Sequence, residues 1–379
     1  MKFLARFLLL FSFSTLAHAD AARDKILAAI EKIPHPNSAS DFDSIPHLSA
    51  LNQGKTLICW SFACSSFLES EMARLKKDPV RLSVFYPVYC AFLEKAKRFV
   101  RTKGASRFSA GDLFTGVSDA YREYGAMPAS VYGPLEAGKV FDQNQLYSEL
   151  DGLMASVKEK KNWDEAAVLS RVKEILHKHL GAPPQNFSFN KRNYTPRSFA
   201  DEVIKLPWAD YVMVTSFEYA PFHKFTELKV PDNWRHNSNY FNVPLDEFYA
   251  AFKRAAQSGF SIAVDVDNTE PSYRMTARHC LIPDFDRPAG GLTQAARELQ
   301  FTSGATTDDH LIHVVGYKNF NGEDWFLAKD SWQKVWQSGN NGYVFLHESY
   351  VKLKVLAFFV HKDGVPAIKA FLKSPENRF

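Results

Sequence analysis

The stretch Gln53-Gly54-Lys55-Thr56-Leu57-Ile58-Cys59-Trp60-Ser61-Phe62-Ala63 opens the part of the chain that decides the fold. From Trp60 to Leu75 apolar residues recur at helical spacing, which predicts a helix. Cys59 then lies in its first turn, where the positive end of the helix dipole favours a thiolate. Gln53 stands six residues before Cys59, behind a helix-breaking glycine, so its amide can swing back and donate to an oxyanion.

A second informative stretch begins at Asp309-His310, about 250 residues downstream. Residues 311–317 read as a buried strand, Asn321-Gly322 as a hairpin turn and residues 325–328 as the returning strand. This hairpin predicts that Asp330 returns to the side of His310. Thiol hydrolases can have this order in the chain: a cysteine first, then a histidine on a strand, then an orienting side chain after the next strand. In this arrangement His310 is the imidazolium partner of Cys59.

A zinc site is the competing use of cysteine and histidine. Cys59 and Cys64 differ by about 140° around a helix, whereas His310 and His313 point to opposite faces of a strand. Neither pair converges on one ion, as tetrahedral zinc requires. We therefore expect neither a metal nor an organic cofactor.

The N-terminus has the pattern of an export signal. Lys2 and Arg6 precede an apolar run from Phe7 to about Leu16, and Ala17-His18-Ala19 is a small-x-small cleavage pattern. The run is too short to span a membrane. We expect a signal peptide over residues 1–19, a mature chain over residues 20–379, and a periplasmic or secreted location.

Composition narrows the class of protein further. The formal net charge of the 379 residues is +4, with both signs scattered along the chain, so no basic stripe predicts nucleic-acid binding. Only four cysteines are present. If Cys59 is the nucleophile, Cys64, Cys90 and Cys280 allow one disulfide at most, with its pairing left open. The hydrophobic content of 46% is sufficient for a large core.

The chain resembles the papain superfamily of cysteine peptidases, and within it the bleomycin hydrolase and aminopeptidase C group, especially its secreted bacterial branch. The nucleophile and histidine segments carry the specific part of this resemblance, and further segments support it along most of the mature chain. These segments are residues 59–63, 67–71, 94–96, 99–101, 124–128, 230–234, 242–247, 306–310 and 360–363.

The resemblance implies an α+β, papain-like fold with a helical left half, a β-barrel-like right half and the site in the cleft between them. It assigns Cys59 as nucleophile, His310 as general base and then acid, and Gln53 to the oxyanion hole. Trp332 would shield the bond between His310 and Asp330 from water. Gly111 lies where the family binds the substrate backbone with a glycine-rich edge.

Two positions depart from the family pattern. Asp330 replaces the usual orienting asparagine, and Gln333 replaces the glycine that normally follows the Ser-Trp pair. Aspartate can orient an imidazole through the same Nδ1–H bond and adds a negative charge. We interpret this as a tuned site in a peptidase that acts on peptides. The alternatives are a degenerate papain-like scaffold kept for binding and a transglutaminase-type Cys-His-Asp acyltransferase, which Gln53 and the Trp332 context disfavour.

The interval between Cys59 and His310 exceeds the about 130–150 residues of simple papain-like enzymes. We expect a helical insertion over about residues 138–234, with an amphipathic helix from Val168 to Leu180 that stops at Gly181-Ala182-Pro183-Pro184. Core packing explains its apolar face, and a homo-oligomer interface is the alternative.

The segment between the expected cleavage site and Gln53 is too short for a folded inhibitory propeptide. In the family a C-terminal segment in the cleft limits cleavage to substrates with a nearby free amino end. We expect the tail over residues 364–379 to do the same here, which would make the chain an aminopeptidase, although the sequence leaves exo- and endo-cleavage open.

Overall fold

The computed structural model describes residues 24–133 and 141–373, so the predicted signal peptide lies outside the described residues. A short helix, α1, covers residues 24–30. The other helices of the described part are α2 (Cys59–Arg74), α3 (Phe85–Arg101), α4 (Phe114–Tyr124), α5 (Asn144–Glu159), α6 (Glu165–Leu180), α7 (Pro196–Phe199), α8 (Leu245–Gln257), α9 (Pro271–Thr276), α10 (Gln294–Thr302), α11 (Gln333–Gln337), α12 (Glu348–Lys354) and α13 (Pro366–Lys373).

Most strands join one mixed sheet in the order β5-β6-β4-β12-β7-β9-β10-β11-β8, with β1 paired to β9 beside this path. The strands are β1 (Asp43–Ser44), β2 (Phe187–Phe189), β3 (Arg192–Tyr194), β4 (Tyr211–Thr215), β5 (Lys224–Thr226), β6 (Tyr240–Asn242), β7 (Ile262–Val266), β8 (His279–Cys280), β9 (His310–Phe320), β10 (Glu323–Lys329), β11 (Tyr343–His347) and β12 (Val355–His361). Strands β2 and β3 form a separate hairpin. The α+β class is confirmed, but over the described residues the large sheet is open, with β5 and β8 at its ends, rather than a closed barrel.

The β9–β10 hairpin forms as the sequence predicts. Its turn residues Asn321 and Gly322 have φ of 53° and 90°, which is the left-handed backbone that a two-residue hairpin turn requires. The strands pair antiparallel from Phe320 with Glu323 to His313 with Lys329. This register brings the residue that follows β10 back to the start of β9.

Helices α2 and α8 cover opposite faces of the sheet because side chains alternate along each strand. Ala263, Leu311 and Phe359 share a core with α2. Their neighbours Val264, Ile312 and Phe358 belong to the core that includes α8. Because α2 packs on β9 and β7, the first turn of α2 meets the beginning of β9.

The predicted amphipathic helix of the insertion is confirmed as α6. It ends at Gly181, whose φ of 79° suits a glycine C-cap. Its apolar side chains, spaced at three to four residues from Val168 to Leu180, are buried, and α6 packs against α3 and α5. This contact accounts for the apolar face by core packing. Helix α5 was missed, and residues 134–140 at the start of the insertion lie outside the described part.

Helix α13 contains most of the described tail and lies on the α8 side of the sheet. Ile368 is buried in the core of that side, and the ring of Phe371 lies 5.3 Å from the ring of Phe241. Residues 366–373 therefore pack away from the face that α2 covers. Residues 374–379 lie outside the described residues. In the described part of the chain, no helix is both long and apolar enough to cross a membrane.

Candidate active site

Cys59 is the first residue of α2, at the amino end of a helix whose following residues are almost all buried. All four cysteines are free thiols. Burial raises the pKa of the Cys64, Cys90 and Cys280 thiols, which keeps them protonated and inert. Cys59 alone among the four retains solvent exposure, so it is the accessible thiol.

His310 begins β9 and contacts both Cys59 and Asp330. Its Nε2 lies 2.8 Å from Oδ1 of Asp330, and both side chains are almost fully buried. Burial lowers the pKa of His310, but the negative charges of Asp330 and Cys59 outweigh this effect and raise the pKa to about 10. Burial likewise opposes ionisation of Asp330, yet the adjacent His310 holds the pKa of this carboxyl below its usual value.

The nitrogen that holds Asp330 differs from the expectation. The sequence argument placed the bond at Nδ1, whereas the structure uses Nε2. Because a carboxylate accepts a proton from the nitrogen it faces, Nε2 carries the hydrogen and Nδ1 is the nitrogen left for Cys59. The ring orientation depends on the fold around the start of β9, which spacing along the chain does not specify.

Two further groups hold the Asp330 carboxylate. The backbone N–H of Trp332 donates to the same Oδ1 at 2.7 Å, and the hydroxyl of Tyr273 donates to Oδ2. The indole of Trp332 packs edge-on against the ring of Tyr273, and its shielding of the His310–Asp330 bond stays a prediction. Tyr273 lies on the short helix α9, in a region whose sequence has no clear period, so sequence reasoning missed it.

Gln53 is buried and held from both ends of its side chain. The hydroxyl of Ser331 donates to Oε1 at 2.6 Å, and Nε2 donates to the carbonyl of Thr56 at 2.8 Å. The backbone N–H of Gln53 also donates to the carbonyl of Ser331 at 2.7 Å. An amide has two N–H hydrogens, so one remains for an oxyanion. Ser331, which follows Asp330 directly, thus ties the glutamine to the histidine side of the cleft.

Gly111 lies against a carboxylate. A Cβ built at Gly111 would lie 1.9 Å from Oδ2 of Asp232, so only glycine fits. The carbonyl of Gly111 accepts from the ammonium of Lys95, which also donates to the carbonyl of Ser109 at 2.8 Å. At the edge predicted to bind the substrate backbone, the Gly111 carbonyl is therefore already bound by Lys95, and the Asp232 carboxylate lies beside it.

A buried ion cluster fixes this edge. Asp112 accepts from Arg235 at 2.6 Å and from the indole N–H of Trp234 at 3.0 Å, and it lies 3.7 Å from Lys95. Burial lowers the pKa of Lys95 to about 8 against the opposing charge of Asp112. Although burial opposes ionisation of Asp112, Arg235 and Lys95 keep its pKa below the usual value. No local motif predicts these pairings, since the partners come from distant segments.

His313 has a different role from His310. Its Nδ1 lies 2.8 Å from the hydroxyl of Ser66 on α2, and burial lowers its pKa well below the usual value. In the described ranges no group of three or more His, Cys, Asp or Glu side chains is arranged to hold a metal ion. Ser66 also accepts from the ammonium of Lys329, so His313 belongs to a buried polar network between α2 and the sheet.

Comparisons with known proteins agree with this geometry. The family described as papain family cysteine protease matches residues 289–356, which include His310 and Asp330. Aminopeptidase C of Listeria monocytogenes is 24% identical over 374 residues, covering 86% of this chain and 83% of the relative. Aminopeptidase C of Lactococcus lactis subsp. cremoris is 22% identical over 369 residues, covering 82% and 80%.

The solved structure of PepW from Lactobacillus rhamnosis shares the fold. It superposes with a TM-score of 0.66 at 17% identity, covering 91% of this chain and 86% of PepW. The match of the His310 segment, the thiol-imidazole pair and the aminopeptidase C relatives support a cysteine peptidase that is similar to the papain superfamily. Within that superfamily it is similar to the aminopeptidase C group.

Proposed function

We propose that the chain hydrolyses peptide bonds at Cys59, with His310 as the proton carrier and Asp330 as the group that orients and charges the imidazole. The observation that carries this proposal is the contact chain from Cys59 through His310 to Asp330, with the second bond at 2.8 Å. The helix dipole of α2 and the imidazolium of His310 both favour a negative sulfur.

The reaction follows from this geometry. His310 Nδ1 takes the thiol proton, and the Cys59 sulfur adds to the scissile carbonyl carbon. The resulting oxyanion accepts from the free N–H of Gln53 and from the backbone N–H of Cys59. Collapse breaks the C–N bond as His310 gives its proton to the leaving amine, which leaves an acyl-thioester. Water, deprotonated by His310, then releases the acid and restores the thiol.

A peptidyl electrophile that alkylates thiols tests the nucleophile. We expect one equivalent to attach at Cys59 and to abolish turnover, because the other three thiols are buried. Cys59→Ala should remove labelling, whereas Cys280→Ala, a matched change at a buried thiol, should leave labelling intact. Absence of labelling in the folded wild-type protein would favour a binding scaffold over an enzyme.

We further propose that the activity is that of an aminopeptidase. Support comes from the two aminopeptidase C relatives, whose similarity covers more than four-fifths of this chain. The substrates are then peptides with a free amino end. Comparison of free-amine with N-acetylated peptides of the same sequence tests the proposal, and equal rates on both would contradict it.

The tail hypothesis now depends on residues 374–379, because α13 holds residues 366–373 on the α8 side. Removing all of residues 364–379 would expose the core that Ile368 fills, so the better truncation ends after Lys373. If the last residues limit access, this truncation should raise cleavage of blocked peptides relative to free-amine peptides. An unchanged ratio would show that the last residues do not limit which substrates reach Cys59.

Export is proposed on the N-terminal pattern alone. Expression of the full chain in a bacterium, followed by cell fractionation and N-terminal sequencing, should find a mature protein that starts near Asp20 outside the cytoplasm. An intact N-terminus on a cytoplasmic product would contradict this.

The Cys-His-Asp triad is also the donor set of a transglutaminase-type acyltransferase, which Asp330 favours. Adding a primary amine during turnover separates the two reactions. A peptidase gives mainly the acid product, whereas an acyltransferase gives mainly the amide.

A further inference from the structure

Three carboxylates from separate segments meet on the cleft side of the sheet: Asp232, Asp265 and Asp308. Asp265 lies on β7, on the face that α2 covers, between Leu311 of β9 and Ala357 of β12. The backbone N–H of Asp232 donates to Oδ2 of Asp308 at 3.3 Å, and the negative charges of Asp308 and Asp232 both act on Asp265. Asp232 also lies against Gly111, so the cluster reaches the edge predicted to bind substrate.

Asp265 is fully buried, and neither of its carboxylate oxygens accepts from an N–H or O–H donor of the described residues. Tyr240 is equally buried, and its hydroxyl has no hydrogen-bond partner among those residues. Unsatisfied buried carboxylates cost folding free energy, so an arrangement of this kind needs a reason other than stability.

Charged groups lie on several sides of the cluster, and the nearest cations to Asp232 are Lys95 and Arg107. Cys59 on α2, Asp308 and Asp232 act on Asp265, and Asp265 in turn acts on Tyr240 of β6 and on the buried Arg297 of α10. The guanidinium of Arg297 donates to the backbone carbonyls of residues 216, 352 and 356 rather than to Asp265. At the rim, Arg107 lies 3.8 Å from Asp232 and is half exposed. Negative charge is therefore in excess at the inner end of the cluster.

Burial and this excess of negative charge both raise the pKa values of Asp265 and Asp308. Burial and the neighbouring Asp308 raise the pKa of Asp265, and burial together with Asp232 raises the pKa of Asp308 to about 7. Neighbouring buried carboxyls that repel each other hold a proton between them until a cation arrives. No group of metal-binding side chains is arranged for an ion in the described part of the chain, so the geometry favours an organic cation.

We propose that Asp232, Asp308 and Asp265 form a cation-binding site beside Cys59 that holds a primary ammonium group of the substrate. Asp232 and Asp308, which are partly exposed, contact the ammonium, and Asp265 supplies negative charge from behind. The location agrees with peptide chemistry, because the α-amino group is attached to the carbon next to the carbonyl that Cys59 attacks. The inference deepens the proposed peptidase function and rests on it for the identity of the substrate.

Two sources can supply such an ammonium, namely a free α-amine and a lysine side chain. Three anilide substrates of neutral sequence separate them: one with a free α-amine, one N-acetylated with a lysine before the cleaved residue, and one N-acetylated without lysine. We expect the wild-type protein to prefer one of the two cationic substrates through a lower KM. Asp308→Asn should reduce that preference by about ten- to a hundredfold, the value of a charge-assisted hydrogen bond.

Asp265→Asn should lower the preference in the same direction, and the matched control Asp78→Asn, at an exposed carboxylate after α2, should not. A preference that survives both cluster substitutions, or no preference between cationic and neutral substrates, would overturn the proposal. Absence of all turnover would instead contradict the proposed peptidase function.

Binding in a Cys59→Ala background keeps the test independent of turnover. Calorimetry should find that leucinamide binds at least about tenfold more tightly than N-acetylleucinamide, and that Asp308→Asn removes the difference. Equal binding of both amides would count against a cation site. A purely structural role for Asp265 predicts that Asp265→Asn lowers the melting temperature and leaves the difference between the two amides unchanged, whereas the proposal predicts that this difference falls.

Discussion

Asp330→Asn separates the charge of the orienting residue from its shape. Asn keeps an oxygen that can accept from His310 and from the backbone N–H of Trp332, as Oδ1 of Asp330 does now. What disappears is the negative charge. Charge centres about 4 Å apart at an effective dielectric constant of about 20 interact by about 4 kcal/mol, which corresponds to about 3 pKa units.

The pKa of His310, now about 10, should therefore fall to about 7 in Asp330→Asn. Since catalysis requires the protonated imidazole beside the thiolate, the alkaline limit of kcat/KM should move down by a similar amount. Activity near neutral pH should persist. The assay is a pH profile of kcat/KM on one free-amine peptide, with the wild-type protein measured on the same substrate so that the titration of the substrate is common to both profiles.

Tyr273 supplies the control and a second readout. Tyr273→Phe removes a hydrogen-bond donor but leaves the charge of Asp330, so it should not lower the alkaline limit. In Asp330→Asn the amide NH₂ faces the Tyr273 hydroxyl, whose own proton then loses its acceptor in a buried position. We expect a stability loss of about 1–3 kcal/mol, partly recovered in the double variant with Tyr273→Phe. An unchanged alkaline limit in Asp330→Asn would refute the electrostatic account of this residue.

The same pair predicts how stability depends on pH. The raised pKa of His310 contributes stability that is fully present below about 6.5 and is lost as the pH rises through about 10. The lowered pKa of Asp330 contributes stability that is present above about 4 and is lost as the pH falls below it. The pair therefore stabilises the folded protein most between these limits.

Replacing either Cys59 or His310 by alanine should remove nearly all turnover and leave the circular dichroism spectrum unchanged, and the double variant should cost little more than either alone; persisting activity in Cys59→Ser would contradict the assignment. Ser331→Ala removes the donor to Oε1 of Gln53, so kcat should fall by about tenfold, which is less than the about 10²–10³ expected for Gln53→Ala. A raised KM with an unchanged kcat would argue against an oxyanion role for Gln53. Gly111→Ala forces Asp232 away from the edge and should raise KM for free-amine peptides, as measured by steady-state kinetics, whereas unchanged KM would show that this edge does not contact the substrate.

Local signals in the sequence were sufficient for the parts of the site that lie on regular elements. Helical periodicity located Cys59 at the start of α2, and the Asn321-Gly322 turn determined the hairpin that returns Asp330 to His310. The stop at Gly181 ended α6 as predicted. Each of these inferences depends on residues close together in the chain, where backbone preferences decide the outcome.

The contacts of the site that the sequence did not predict depend on packing between segments far apart in the chain. The approach of Asp265 to Asp308 joins two segments that lie far apart in the chain, and the hydroxyl of Tyr273 reaches Asp330 from a helix that periodicity did not predict. The choice of Nε2 over Nδ1 on His310 depends on how α2 meets β9. The open sheet differs from the barrel-like half that the family resemblance implied, since closure depends on strand order and not on strand existence.

A single-turnover experiment tests the central claim most directly. The protein is mixed with less than one equivalent of a slowly hydrolysed peptide anilide, quenched in acid within the first turnover, digested and examined by mass spectrometry. The account predicts an acyl group on the peptide that contains Cys59, absent in Cys59→Ala and strongly reduced in His310→Ala. Anilide release without any acyl group at Cys59, or an acyl group on another residue, would contradict it.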